Sequence, residues 1–99
     1  MADQTIGVAA HITAKKGHER DLETVLLGLI EPTRAELGCI LYELYRDEKE
    51  PARFTFLEKW ESKAALDKHM ASAHFQEAGK KMEAFLGEAP DIRISYLIN

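Results

Sequence analysis

Cysteine is almost missing from these 99 residues: Cys39 stands alone, so no intrachain disulfide can form and packing must hold the fold. No basic residues crowd Cys39 in sequence, and it reads as a small hydrophobe at the start of a strand rather than a catalytic thiol. Long apolar runs are also missing. Nowhere do 18 apolar residues follow one another, and the opening MADQTIGVAAHITAKKG has neither the charged start nor the apolar stretch of a signal peptide. A cytoplasmic protein with no membrane partner is expected. Positive charge is in short supply: 13 Lys and Arg face 17 Asp and Glu, for a net charge of −4. The bases are scattered among acids, and the pairs Lys15-Lys16 and Lys80-Lys81 read as solvated faces, so nucleic acid is excluded as a partner. Neither a glycine-rich phosphate loop nor a Ser-His-Asp arrangement can be read. Metal is not expected either. His69 and His74 lie five residues apart, about 140° of rotation on a continuous helix, unlike the four-residue spacing of a zinc motif.

What is present is patterned for one domain, residues 1–99, of a size that buries roughly 60 to 70% of its unfolded surface without metal or disulfides. Ile6, Val8, Ala10 and Ile12 alternate with Gly7, Ala9 and His11, which predicts a first strand over 5–14. Leu22, Val25, Leu26, Leu29 and Ile30 fall at helical spacing after Glu19 and Asp21, whose charge suits a helix start. Pro32 sits too late to begin that helix and predicts a kink or break near Ile30–Glu31, with a turn or two resuming over 33–37 until Gly38 stops it. A second strand over 39–47 carries apolar residues on both parities, with Cys39, Leu41 and Tyr45 on one and Ile40, Tyr42 and Leu44 on the other. The polar run 47–51 predicts a hairpin turn into a third strand, 53–61, with Phe54, Phe56, Glu58 and Trp60 on one face. Ser62 and Ser72 are positioned to cap two further helices, and Ile92, Ile94, Tyr96 and Ile98 alternate in a fourth strand over 91–99.

The order β-α-β-β-α-β predicts an α+β, ferredoxin-like antiparallel sheet with helices on one face. The second sheet face then needs cover. A second copy packed sheet to sheet is the simplest, so a homodimer is expected.

The most specific stretch is Glu58-Lys59-Trp60-Glu61-Ser62, followed by Ala65-Leu66, His69 and Ser72-Ala73-His74-Phe75. With the Lys16-Gly17 turn and Glu36-Leu37-Gly38-Cys39, this pattern resembles the antibiotic biosynthesis monooxygenase superfamily over nearly the whole chain. The resemblance implies a dimeric α/β barrel. It implies an activity less narrowly, since members include oxygenases, haem degraders and an isomerase of a phosphorylated signal. Against the haem-degrading branch, Ala10 stands where that branch offers an asparagine, and Gly79 where it offers the iron-ligating histidine.

By resemblance, the oxygenase members use neither metal nor flavin, and an electron-rich phenolic substrate itself reduces dioxygen. The expected function is a cofactor-independent monooxygenase acting on a quinol or polycyclic phenol. His69 is then the proton-transfer residue, Trp60 an aromatic wall, and Glu58 the group that orients a histidine or a substrate hydroxyl. Phe56, Tyr42, His74 and Phe75 are expected to contact substrate. Each has a plainer reading: Trp60 as core packing, His69 and His74 as structural histidines, Tyr42 as a strand former. An isomerase of the same fold would need a basic lining, for which Arg34, Arg46, Arg53 and Arg93 are the candidates. A non-catalytic dimeric binding module is the third reading.

Overall fold

The structure is a computed structural model, and it describes residues 4–99. The elements are β1 (Ile6–Thr13), α1 (Glu19–Leu27), α2 (Ile30–Arg34), β2 (Cys39–Arg46), β3 (Arg53–Trp60), α3 (Lys63–Met70), α4 (Ala73–Met82) with a 3₁₀ turn at Glu83–Phe85, and β4 (Asp91–Tyr96). The strands form one antiparallel sheet in the order β2-β3-β1-β4. This is the ferredoxin-like arrangement that the element order predicts.

Alternation sets which side of the sheet is buried. Val8, Ala10 and Ile12 of β1 face Glu58, Phe56 and Phe54 of β3 across the ladder, and this set lies against Leu22, Leu26 and Leu29 from the first helical stretch and Leu66 from α3. The opposite side carries Tyr45 and Leu57, both exposed, and a 2.9 Å hydrogen bond between His11 Nδ1 and Thr55 Oγ1. The helices do not reach over β4. Ile92 and Ile94 pair with Ala10 and Val8 on the helix side, yet remain 47% and 44% exposed.

Three expectations are corrected. The first helix breaks at Gly28–Leu29, earlier than Ile30–Glu31, and Pro32 is the third residue of the new helix α2. There its missing N–H costs nothing, while its ring would crowd the carbonyl four residues back, that of Gly28. The second helix is also shorter than expected, ending at Arg34. In β2 the register shifts between Cys39 and Leu41, so Ile40 is an extra, exposed residue and Cys39 shares the buried face with Tyr42 and Leu44. A bulge inverts parity, which alternation alone does not show. No helix among the described residues is long and apolar enough to cross a membrane.

Candidate active site

Between the helices and the sheet lies a cavity of about 280 Å³. Its floor is Val8, Ala10 and Phe56, its roof includes Leu66, His69 and Phe75, and Ile92 and Ile94 form the side that the helices leave uncovered. Tyr42, Glu58 and His69 bring the titratable groups to this otherwise apolar lining. Five of the seven expected site residues therefore line one space: His69, Glu58, Phe56, Tyr42 and Phe75.

The other two stand elsewhere. Trp60 is fully buried behind the wall, its ring centroid 4.7 Å from that of His69. His74 faces a neighbouring groove with Lys81 and Glu77. Glu58 orients neither histidine. Its Oε1 accepts a 2.9 Å hydrogen bond from Trp60 Nε1, the partner a buried indole requires. Burial pushes the Glu58 carboxyl up to about 7, against the opposing effect of the Trp60 bond.

The residue that holds His69 is Glu36, whose role the sequence did not show. Its Oε2 lies 2.7 Å from His69 Nδ1 and 2.7 Å from His74 Nε2, so one carboxylate oxygen accepts from both imidazoles. This assigns the proton of His69 to Nδ1 and leaves Nε2 as the nitrogen available to a molecule in the cavity. His69 is 2% exposed, and burial lowers its pKa while the Glu36 bond pulls the other way. The edges of Tyr42 and Phe75 close around the ring, with centroids 5.6 and 5.0 Å away.

Local chemistry builds this meeting point. Ser62 accepts from Ala65 N at 3.1 Å and starts α3 directly after β3, which sets the phase that turns Leu66 and His69 inward. Ser72 ends α3 and begins α4: its hydroxyl donates to His69 O at 2.6 Å and accepts from Phe75 N at 3.3 Å. The expectation that His69 and His74 point apart assumed one continuous helix. The break at Ser72 removes that premise, and the two rings converge with centroids 6.1 Å apart. Gly38, at φ +92°, lets the loop carrying Glu36 press onto α3, where an added Cβ would stand 2.6 Å from Ala65 Cβ. Nothing in the spacing of residues 33 and 38 positions away from Glu36 foretells this contact. The one sequence signal was the place of Glu36 just before Gly38.

None of the four candidate arginines lines the cavity. Arg34 donates to Tyr42 O at 3.0 and 2.8 Å, Arg46 pairs with Glu23, and Arg93 bonds Asp91 at 2.9 Å.

A family model described as "Antibiotic biosynthesis monooxygenase" matches residues 5–81. The uncharacterized protein sll1783 of Synechocystis is 38% identical over 93 residues, which is 94% of this chain; the chain spans 63% of that relative's length. YcnE of Bacillus subtilis, named "Putative monooxygenase", is 31% identical over 87 residues, 88% of this chain and 92% of its own. The crystal structure of PA3566 from Pseudomonas aeruginosa matches with a TM-score of 0.92 at 33% identity, covering 100% of this chain and 99% of that one. The family match runs unbroken from β1 into α4, through the segments that carry Glu36, Tyr42, Glu58, His69 and His74, and on this evidence the chain belongs to the antibiotic biosynthesis monooxygenase family.

Proposed function

We propose that the protein is a cofactor-independent monooxygenase acting on a small quinol or fused-ring phenol. The observation that carries this reading is a buried histidine of fixed tautomer, backed by a partly buried carboxylate, on the wall of an apolar cavity. At about 280 Å³ the space sits at the small end of ligand pockets, which favours one or two fused rings.

In this reading His69 Nε2 takes a proton from the bound substrate, and Glu36 stabilises the imidazolium that forms. The substrate anion gives an electron to dioxygen, and the radical and superoxide couple to a peroxide anion, which takes the proton back from His69 to become a hydroperoxide. Loss of water then leaves a carbonyl, so the substrate supplies every electron. Glu58, held by Trp60, receives a substrate hydroxyl, while Phe56, Tyr42 and Phe75 clamp the ring and keep water out. The structure gives His74 no contact with that space, so its expected substrate contact is not retained. A phosphorylated isomerase substrate is disfavoured by the lack of arginine in the lining. The uncovered sheet face supports assembly with a second copy.

Oxygen uptake by EDTA-treated protein with a reduced naphthoquinol tests this. The wild type should exceed buffer, and His69→Ala should lose about a hundredfold or more of the enzymic rate. Equal uptake by wild type, variant and buffer would remove the proposal.

A further inference from the structure

We propose that Glu36, His69 and His74 form a binding site for a divalent transition metal, with zinc the cation best matched, and that the bound metal switches off the His69 base. The binding is independent of the oxygenase reading; only its effect on turnover rests on it.

The donors come from three segments: the α2–β2 loop, the last turn of α3 and the first turn of α4. Glu36 Oε2, His69 Nδ1 and His74 Nε2 all lie within 4.8 Å of one another, and both nitrogens already aim at the same oxygen, 2.7 Å away. A tetrahedral zinc with bonds of about 2.0–2.1 Å needs donors about 3.3 Å apart, so the carboxylate oxygen has to withdraw by about half an ångström and the two nitrogens, which lie within 4.8 Å of each other, have to close to that spacing. Glu36 sits on a loop, which allows that movement. Two imidazoles and one carboxylate suit zinc and its first-row neighbours, whereas calcium and magnesium want oxygen alone. Access exists: the His74 side chain is 28% exposed, and the ring opens onto the groove beside Lys81, from which a water could fill the fourth position.

Coordination changes the tautomers. Each imidazole now donates its lone pair where it carried a proton, so the proton of His69 moves to Nε2 and that of His74 to Nδ1. The nitrogen facing the cavity becomes an N–H. It can no longer accept a proton from substrate.

The test uses the untagged full chain, stripped with EDTA and titrated with zinc by calorimetry, with thermal melting alongside. One zinc per chain with a rise in melting temperature is expected, and magnesium should give neither. His74→Ala and Glu36→Gln should each weaken zinc binding by about tenfold or more and abolish the rise. His18→Ala, which removes the surface pair with Asp21, should change nothing. Absence of zinc binding, or the same affinity in wild type, His74→Ala and Glu36→Gln, overturns the site. Because heat and melting need no substrate, this failure is distinct from a failure of the oxygenase reading. Where oxygen uptake is present, zinc should suppress it in the wild type and not in His74→Ala.

Discussion

Replacing Glu58 by glutamine isolates the electrostatic cost of a buried carboxyl. The unfolded chain ionises this group near 4.5, while in the fold burial holds it at about 7. Between those two values the native state binds more protons than the unfolded one, so the stability that Glu58 contributes falls as pH rises. The loss starts near pH 4.5, is complete just above 7, and amounts to about 3 kcal/mol. Glutamine keeps an amide oxygen to accept from Trp60 Nε1 and removes the titration, so packing and hydrogen bonding stay nearly the same. His69 contributes with the opposite sign. Its lowered pKa means stability gained as pH rises towards 6.5, and wild-type curves alone would blend the two effects. The quantity to measure is therefore the difference in unfolding free energy between wild type and Glu58→Gln, by urea denaturation at half-unit steps from pH 4.5 to 8.5. That difference should move by about 3 kcal/mol in favour of the variant, which is about 2 M in urea midpoint for a chain of this size. Parallel curves, or a difference that favours the wild type with rising pH, would refute the assigned burial cost.

Two other measurements probe the frame of the site. Gly38→Ala should destabilise the fold by about 2–4 kcal/mol, combining left-handed backbone strain with a clash on Ala65; a melting temperature equal to wild type would contradict that close approach. Sedimentation velocity at micromolar concentration should show a homodimer formed through the sheet face of Tyr45 and Leu57, which a stable monomer would rule out.

Strands and helix starts were legible because each rests on a local rule. One-sided burial writes a period of two into Ile6 to Ile12 and Phe54 to Trp60, and Ser62 and Ser72 cap the helices that their positions announce. The errors came where a local rule has two outcomes. A proline interrupts a helix through the carbonyl four residues earlier, so Pro32 broke the chain at Gly28–Leu29 and then took its place in the first turn of α2. The extra residue Ile40 reversed parity within β2 without any proline or glycine to mark it. In the candidate site, His69 and Glu58 stood out as titratable groups on apolar faces. Glu36 did not, because its role depends on a loop docking against a helix 33 residues later, and only Gly38 hinted at that contact.

Ser72 also bears on how the chain tolerates changes of length. Connections between helices usually accept an added or deleted residue with little harm. Here Ala71, which closes α3 in helical conformation, and Ser72, extended at ψ 153°, together fix the direction of α4 relative to α3. One helical residue gained between Met70 and Ala71 would carry Ser72 and α4 about 100° around the axis of α3 and swing His74 away from Glu36, while leaving both helices and the Ser72 cap of α4 formed. Such a length variant would keep the fold and lose the shared carboxylate, so related chains can be sorted by the length of this link before any side chain in the site is compared.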